Sequence, residues 1–199
     1  MLKVGLTGGI GSGKTTVSNL IKELGFPVYN SDSRAKWLMN NDPSTKNLVV
    51  LEFGESAYDK GVLNRKLISE IVFGDSSKLK KLNSIIHPGV AEDFKNWITQ
   101  HDSNTIVFKE AAILIESKAY LEMDKIILVC CSEKIRLERV LKRDSSNYKT
   151  IRKRMSHQMT DAAKEKYADF IIDNSENEKN LKKKVLITIE KLTELVMEK

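Results

Sequence analysis

The chain has 199 residues, 33 of them Lys or Arg against 27 Asp or Glu, for a formal net charge of +6. That length suits one α/β domain with an insertion or two and can bury a substantial core without disulfide staples. With 41% hydrophobic and 30% charged residues, and no apolar run near the roughly 18 residues a membrane helix needs, the composition excludes a membrane-spanning protein and a disordered one.

In chain order, Leu2-Lys3-Val4-Gly5-Leu6-Thr7 reads as a short buried strand. Gly8-Gly9-Ile10-Gly11-Ser12-Gly13-Lys14-Thr15 then completes a G-x-x-x-x-G-K-S/T pattern, and the segment after it, from Thr16 to Leu24, reads as a helix stopped by Gly25. A glycine-rich loop between strand and helix is a phosphate cradle, because glycines let backbone N–H groups turn inward and the helix N-terminus adds positive charge. Gly11, Ser12, Gly13, Lys14, Thr15 and Thr16 are the nucleotide-binding candidates. Lys14 is expected to reach the β- and γ-phosphates of ATP or GTP, and the Thr15 hydroxyl to ligate Mg²⁺.

Phe26-Pro27-Val28-Tyr29 is a second strand candidate, and Ser31 or Asp32 is placed to cap a helix beginning at Ser33. From about Asn40 to His101 the pattern is mostly helical, with breaks expected at Asp42-Pro43-Ser44, Phe53-Gly54, Lys60-Gly61, Gly74-Asp75 and His87-Pro88-Gly89. Strands resume at Thr105-Ile106-Val107-Phe108, before Lys109-Glu110, and at Lys125 to Cys131. A helix from about Ser132 to Arg143 carries Arg136, Arg139, Lys142 and Arg143, and a polar break at Asp144-Ser145-Ser146-Asn147 leads to a basic helix with Arg152, Lys153 and Arg154. Phe170 to Asn174 is the last strand, and Leu181, Val185, Ile189, Leu192 and Val196 line one face of a final helix.

Strands alternating with helices predict an α/β fold: a P-loop NTPase core with a parallel five-stranded sheet flanked by helices, plus a helical substrate-side insertion and a helical lid. The expected boundaries are residues 1–30, 103–142 and 167–199 for the core, 31–102 for the insertion and 143–166 for the lid. Ligands of such sheets sit at the carboxyl ends of the strands. Asp32, at the end of the second strand, reads equally as a base for an acceptor hydroxyl or as a helix cap. Glu110 is the candidate to hold Mg²⁺ directly or through water. Arg139 and Arg143, four apart on one helix face, and Arg154 beyond the break suit phosphate contacts from a closing lid, while His87 reads more readily as a packed or capping histidine.

Adjacent Cys130 and Cys131 lack metal-site spacing and read as part of a buried strand, fitting a reducing cytoplasmic setting. No leader peptide is expected, since the phosphate loop follows the first strand so closely. The positive charge would suit nucleic acid or a phosphorylated small substrate, but Lys182-Lys183-Lys184 lies in the final helix and the charge carries little weight.

Taken together, these residues resemble the dephospho-coenzyme A kinase family nearly end to end. The resemblance runs from Gly5 to Lys14 through Asn30-Ser31-Asp32, Gly61-Val62-Leu63-Asn64-Arg65, Leu82 to Pro88 and a strand ending in Ile113-Leu114-Ile115-Glu116. It closes with Arg139 to Asp144, Gln158 and Ala168 to Asn174. It implies transfer of the γ-phosphate of ATP to the 3′-hydroxyl of the dephospho-CoA ribose, the final step of coenzyme A biosynthesis. It further implies Asp32 as catalytic base, Arg139 facing the nucleotide, Asn174 near the adenine, and Arg65, His87 and Glu116 on the acceptor side. A cytoplasmic monomer or small homo-oligomer, with no nucleic acid or membrane partner, goes with that reading. The family commonly has Asp-Ala-Asp where this chain has Asn30-Ser31-Asp32, and Pro-Leu-Leu-Phe-Glu where it has Ala112-Ile113-Leu114-Ile115-Glu116. The alternatives are a nucleoside monophosphate or other small-metabolite P-loop kinase, and a nucleotide-binding switch. A GTP switch would carry an Asn-Lys-x-Asp segment, and none is present.

Overall fold

The structure, a computed structural model, describes residues 1–103, 105–144 and 147–197. Ser145 and Ser146 of the expected polar break, Asn104, and the final two residues of the expected core segment lie outside the described residues. The elements in chain order are β1 (Leu2–Thr7), α1 (Lys14–Glu23), β2 (Val28–Asn30), α2 (Ser31–Asn41), α3 (Pro43–Phe53), β3 (Tyr58–Asp59), β4 (Val62–Leu63), α4 (Arg65–Gly74) and α5 (Ser76–Ile98). There follow β5 (Ile106–Glu110), β6 (Lys125–Cys130), α6 (Glu133–Asp144), α7 (Tyr148–Ser156), α8 (Asp161–Glu165), β7 (Phe170–Asp173) and α9 (Glu178–Met197). Contacts divide the chain into two compact units, Met1–Asn30 with His101–Lys199, and Ser31–Gln100.

In the first unit the strand order is β2-β5-β1-β6-β7 and every pairing is parallel. The central strand β1 has neighbours on both edges, and its Leu2, Val4, Gly5 and Leu6 are apolar and buried. Alternation then divides the strands between two faces. Leu2, Val4, Leu6, Ile106, Phe108, Ile127, Val129 and Ile172 pack with Val17, Leu20 and Ile21 of α1 and Leu181, Val185, Ile189 and Leu192 of α9. On the other face Gly5 leaves room for Leu114, whose Cδ2 would lie 2.5 Å from a Cβ at that position. Leu6 and Asn30 both pair with Glu110, so β1, β2 and β5 finish level with one another. The chain leaves β1 into the glycine loop at that edge. Helix α1 ends where Gly25 turns left-handed (φ 88°), letting the Phe26 N–H donate to the Ile21 carbonyl at 3.2 Å.

The second unit holds α2 to α5 and the small antiparallel hairpin β3–β4, a detail that the helical pattern from Asn40 to His101 did not predict. Two of its helix starts fall at the expected breaks near Pro43 and Asp75, and a third, at Asn64, was not expected. Asp42 accepts the Thr45 N–H at 2.7 Å ahead of Pro43, Asn64 accepts that of Leu67 at 3.1 Å, and Asp75 that of Ser77 at 2.7 Å.

The break expected at His87-Pro88-Gly89 is absent: α5 runs through it from Ser76 to Ile98. An interior proline costs about 3 kcal/mol. Against this, Leu82, Ile86, Val90 and Phe94 bury one continuous stripe across it, each worth roughly 1.5–3 kcal/mol. Tertiary burial therefore outweighs the local penalty. Helix α2 also differs from expectation, starting at Ser31 rather than Ser33. Ser31 and Asp32 stand inside its first turn and neither caps it from outside. A carboxylate there still faces the positive end of the helix dipole.

Candidate active site

The glycine loop is built as the sequence suggests. Gly11 (φ 80°) and Gly13 (φ 94°) take left-handed conformations that side chains disfavour, and Gly13 stands immediately before α1. No side chain caps α1 and its first turn carries no acidic residue, so its N–H groups are left to a ligand. Ser12 is buried, whereas Thr15 and Thr16 are exposed on the first turn of α1. Lys14 Nζ folds back to donate to the Gly8 carbonyl at 2.8 Å, which holds its ammonium beside the loop.

Glu110, the last residue of β5, is only 5% exposed. The Thr15 hydroxyl donates to its Oε1 at 3.3 Å, and Asn30 Nδ2 donates to its Oε2 at 2.8 Å. A hard dication takes oxygen ligands and keeps several waters. A hydroxyl and a carboxylate side by side next to a phosphate cradle fit Mg²⁺. No group of three or more His, Cys, Asp or Glu residues placed to hold a metal ion occurs among the described residues, so an all-protein metal cage is not what they form.

Two of the other expected nucleotide residues meet at the loop. Asn174 is buried, and its Nδ2 donates to the Ser12 carbonyl at 2.9 Å. Arg139 Nη2 donates to the Asn174 carbonyl at 3.0 Å, and its Nη1 lies 3.7 Å from Cys131 Sγ. Asn174 thus supports the loop backbone. Arg143 and Arg154 share Asp144, at 2.6 and 3.3 Å, and the Arg143 bonds hold that carboxyl below the usual carboxylate range. Arg152 pairs with Glu133 at 3.3 Å.

The expected acceptor-side residues are distributed differently. Arg65 opens α4 and His87 lies within α5, both in the second unit, as does Asp32 in the first turn of α2. Glu116 belongs to the first unit, in a run of turns and not at the end of a strand. Its Oε1 accepts from the Met159 N–H at 2.9 Å and pairs with the fully buried Lys164 ammonium at 3.0 Å. Lys164 also donates to the Ala112 carbonyl at 2.9 Å. In this structure Glu116 secures the segment leading into α8.

Three residues at this site took no role from the motifs, although Gln158 is among those that carry the family resemblance. Arg136, noted only as one of several basic residues on its helix, is 8% exposed and touches the loop. Gln158 accepts the Ile10 N–H at 2.9 Å. Asn30, singled out only as a departure from a pattern, orients Glu110. Spacing cannot reveal any of these, since their partners are 80 to 148 residues away.

A parallel sheet whose first strand feeds a phosphate loop, with Lys14, Thr15 and Glu110 gathered at its mouth, defines a P-loop nucleotide-binding protein. Comparison with known proteins narrows the class. The family model for dephospho-CoA kinase matches residues 2–180. A dephospho-CoA kinase of Bacteroides fragilis is 39% identical over 173 residues, covering 87% of this chain and 84% of that protein. Among solved structures, a Thermus thermophilus protein superimposes with TM-score 0.84 at 27% identity over 96% of this chain and 98% of its own. The dephospho-CoA kinase of Campylobacter jejuni, at 24% identity, shares the fold with TM-score 0.71 over 96% and 97%. The chain belongs to the dephospho-CoA kinase family.

Proposed function

We propose that this chain transfers the γ-phosphoryl group of ATP to the 3′-hydroxyl of the dephospho-CoA ribose, completing coenzyme A. The observation that carries the reading is the family match across residues 2–180, which includes every residue assigned a role below. It does not favour a nucleoside monophosphate kinase.

In this reaction the acceptor O3′ attacks Pγ, the bond from Pγ to the β–γ bridging oxygen breaks, and ADP leaves with that electron pair. Charge on the transferring group must be neutralised and the two oxygens aligned. The loop N–H groups and the α1 N-terminus receive the phosphates. Lys14 exchanges the Gly8 carbonyl for β- and γ-oxygens, where its charge offsets the negative charge shifting towards ADP. Thr15 and Glu110 would hold Mg²⁺, which when bound screens the phosphate oxygens. Asn30 keeps Glu110 turned towards Thr15. Asp32, two residues past Asn30 and exposed, accepts the proton of the 3′-hydroxyl. Arg139 faces the nucleotide, with Asn174 supporting the loop beside it, and Arg65 and His87 meet the acceptor. The segment 143–166, carrying Arg143 and Arg154, closes over the nucleotide and excludes water. Two free thiols and the use of ATP fit a cytoplasmic enzyme.

A coupled assay of ADP release tests the reading, with dephospho-CoA set beside AMP, CMP and shikimate as acceptors in ATP and Mg²⁺. Turnover with dephospho-CoA alone is expected. Folded protein that leaves dephospho-CoA untouched, or prefers another acceptor, contradicts it.

A further inference from the structure

The Gly9-Ile10-Gly11 stretch of the loop is held from behind, and one side chain does most of the holding. Arg136 of α6 donates from Nε to the Ile10 carbonyl at 3.0 Å and from Nη1 to Asp161 Oδ2 at 3.3 Å. Its guanidinium lies so close over Gly9 that a methyl group there would overlap it. At Gly11 a methyl would meet the Arg136 carbonyl oxygen at 2.6 Å and Val140 Cγ2 at 2.9 Å. The Ile10 N–H is taken by Gln158 Oε1 at 2.9 Å. Both backbone polar groups of Ile10 are therefore committed to side chains outside the loop. Asp161 braces the arrangement: its Oδ1 is buried without a hydrogen-bond partner among the described residues, so Arg136 is what compensates its charge.

We propose that Arg136 is a positioning residue for ATP binding, which fixes the phosphate loop through the Ile10 carbonyl. The proposal rests on the loop being the ATP site. Flanked by two glycines, the Ile10 peptide has unusual freedom, and a loop that samples several conformations binds triphosphate only in the fraction that is correctly shaped. Arg136 and Gln158 raise that fraction before the nucleotide arrives. The working atom is Nε. Glutamine carries its amide nitrogen the same number of bonds from the backbone, so it can replace that donor, whereas methionine cannot.

The test uses the full chain in an Asp161→Asn background, so that no variant leaves a buried carboxylate unpaired. ATP affinity is measured by calorimetry, and KM for dephospho-CoA by steady-state assay. Arg136→Met is expected to raise the ATP dissociation constant about tenfold or more, and Arg136→Gln to hold it within about threefold. KM for dephospho-CoA should stay within about twofold in both, a split that general damage to the fold would not produce. Gln158→Ala, which buries no charge, should weaken ATP by a similar factor and serves if the Arg136 variants do not fold. Unchanged affinity in Arg136→Met, a Gln variant as weak as the Met one, or an unaffected Gln158→Ala would overturn the proposal. Wild-type protein that binds no ATP would instead overturn the assignment of the loop itself.

Discussion

Substituting Lys164 by methionine gives a sharp test of how the segment entering α8 is secured. The lysine side chain is 0% exposed, its ammonium lies 3.0 Å from Glu116 Oε1, and it donates to the Ala112 carbonyl at 2.9 Å. Methionine fills nearly the same volume, so packing changes little and the loss is electrostatic. Glu116 would keep one donor, the Met159 N–H, while its Oε2 is already buried with no hydrogen-bond partner among the described residues. Breaking a buried pair by removing one charge costs about 3–5 kcal/mol. For a chain of this size each kcal/mol lowers the melting temperature by about 2–4 °C, so the loss should be about 6–20 °C. The double variant Glu116→Gln/Lys164→Met removes both charges and should recover at least half of it, the residue being the Ala112 carbonyl left without its donor, about 1 kcal/mol. Circular dichroism melts of wild type, single and double variants measure this. A single variant melting within about 2 °C of wild type, or a double variant no better than the single, refutes the reasoning. The double variant has a second use: if Glu116 touches the acceptor, KM for dephospho-CoA rises in proportion to the loss of that contact, whereas a purely structural Glu116 leaves it near wild type.

Three further outcomes are expected. Asp32→Asn should lower kcat by about 100- to 10,000-fold with little change in ATP affinity by calorimetry, and equal losses in both would remove Asp32 from proton transfer. Burial, and then the Asp173 charge, push the Cys130 thiol up to about 11, leaving about one thiolate in a thousand at pH 8. Alkylation of native protein at pH 8 should accordingly be at least about 100-fold slower than in denaturant, and comparable rates would contradict the burial seen here. Thr45 holds the Asp42 carboxyl below its usual range, chiefly through its hydroxyl, and Ser77 does the same for Asp75. Because these groups are more acidic folded than unfolded, their stabilisation is complete above the unfolded value, begins to fall at about pH 4 and is lost as pH drops on through the lower folded value. Melts from pH 5 to pH 3 should show that decline, with a shallower slope in Asp42→Asn/Asp75→Asn; an identical slope would show that neither cap titrates as described.

Local pattern carried much of this protein. The loop from Gly8 to Thr15, the alternating strands and the breaks at Asp42-Pro43-Ser44 and Gly74-Asp75 each depend on neighbours within a few residues. The misreadings arise where distant packing overrules local preference. Pro88 stays helical because four apolar residues on one face of α5 outweigh its penalty. Glu116, read as the end of a strand, lies instead in a run of turns, where it meets Lys164 and Met159. Arg136 looked like one more cation on a basic helix, because its contact with Ile10 spans 126 residues. Asn30 could be noticed as unusual, yet its bond to Glu110 only exists once β2 and β5 pair.

The central claim is settled most directly by the product. Dephospho-CoA incubated with this protein, ATP and Mg²⁺ should gain one phosphoryl group, and phosphorus and proton NMR should place it on the ribose 3′-oxygen with one ADP formed per product. Phosphorylation at another position, or ATP consumed with dephospho-CoA recovered intact, would contradict the account.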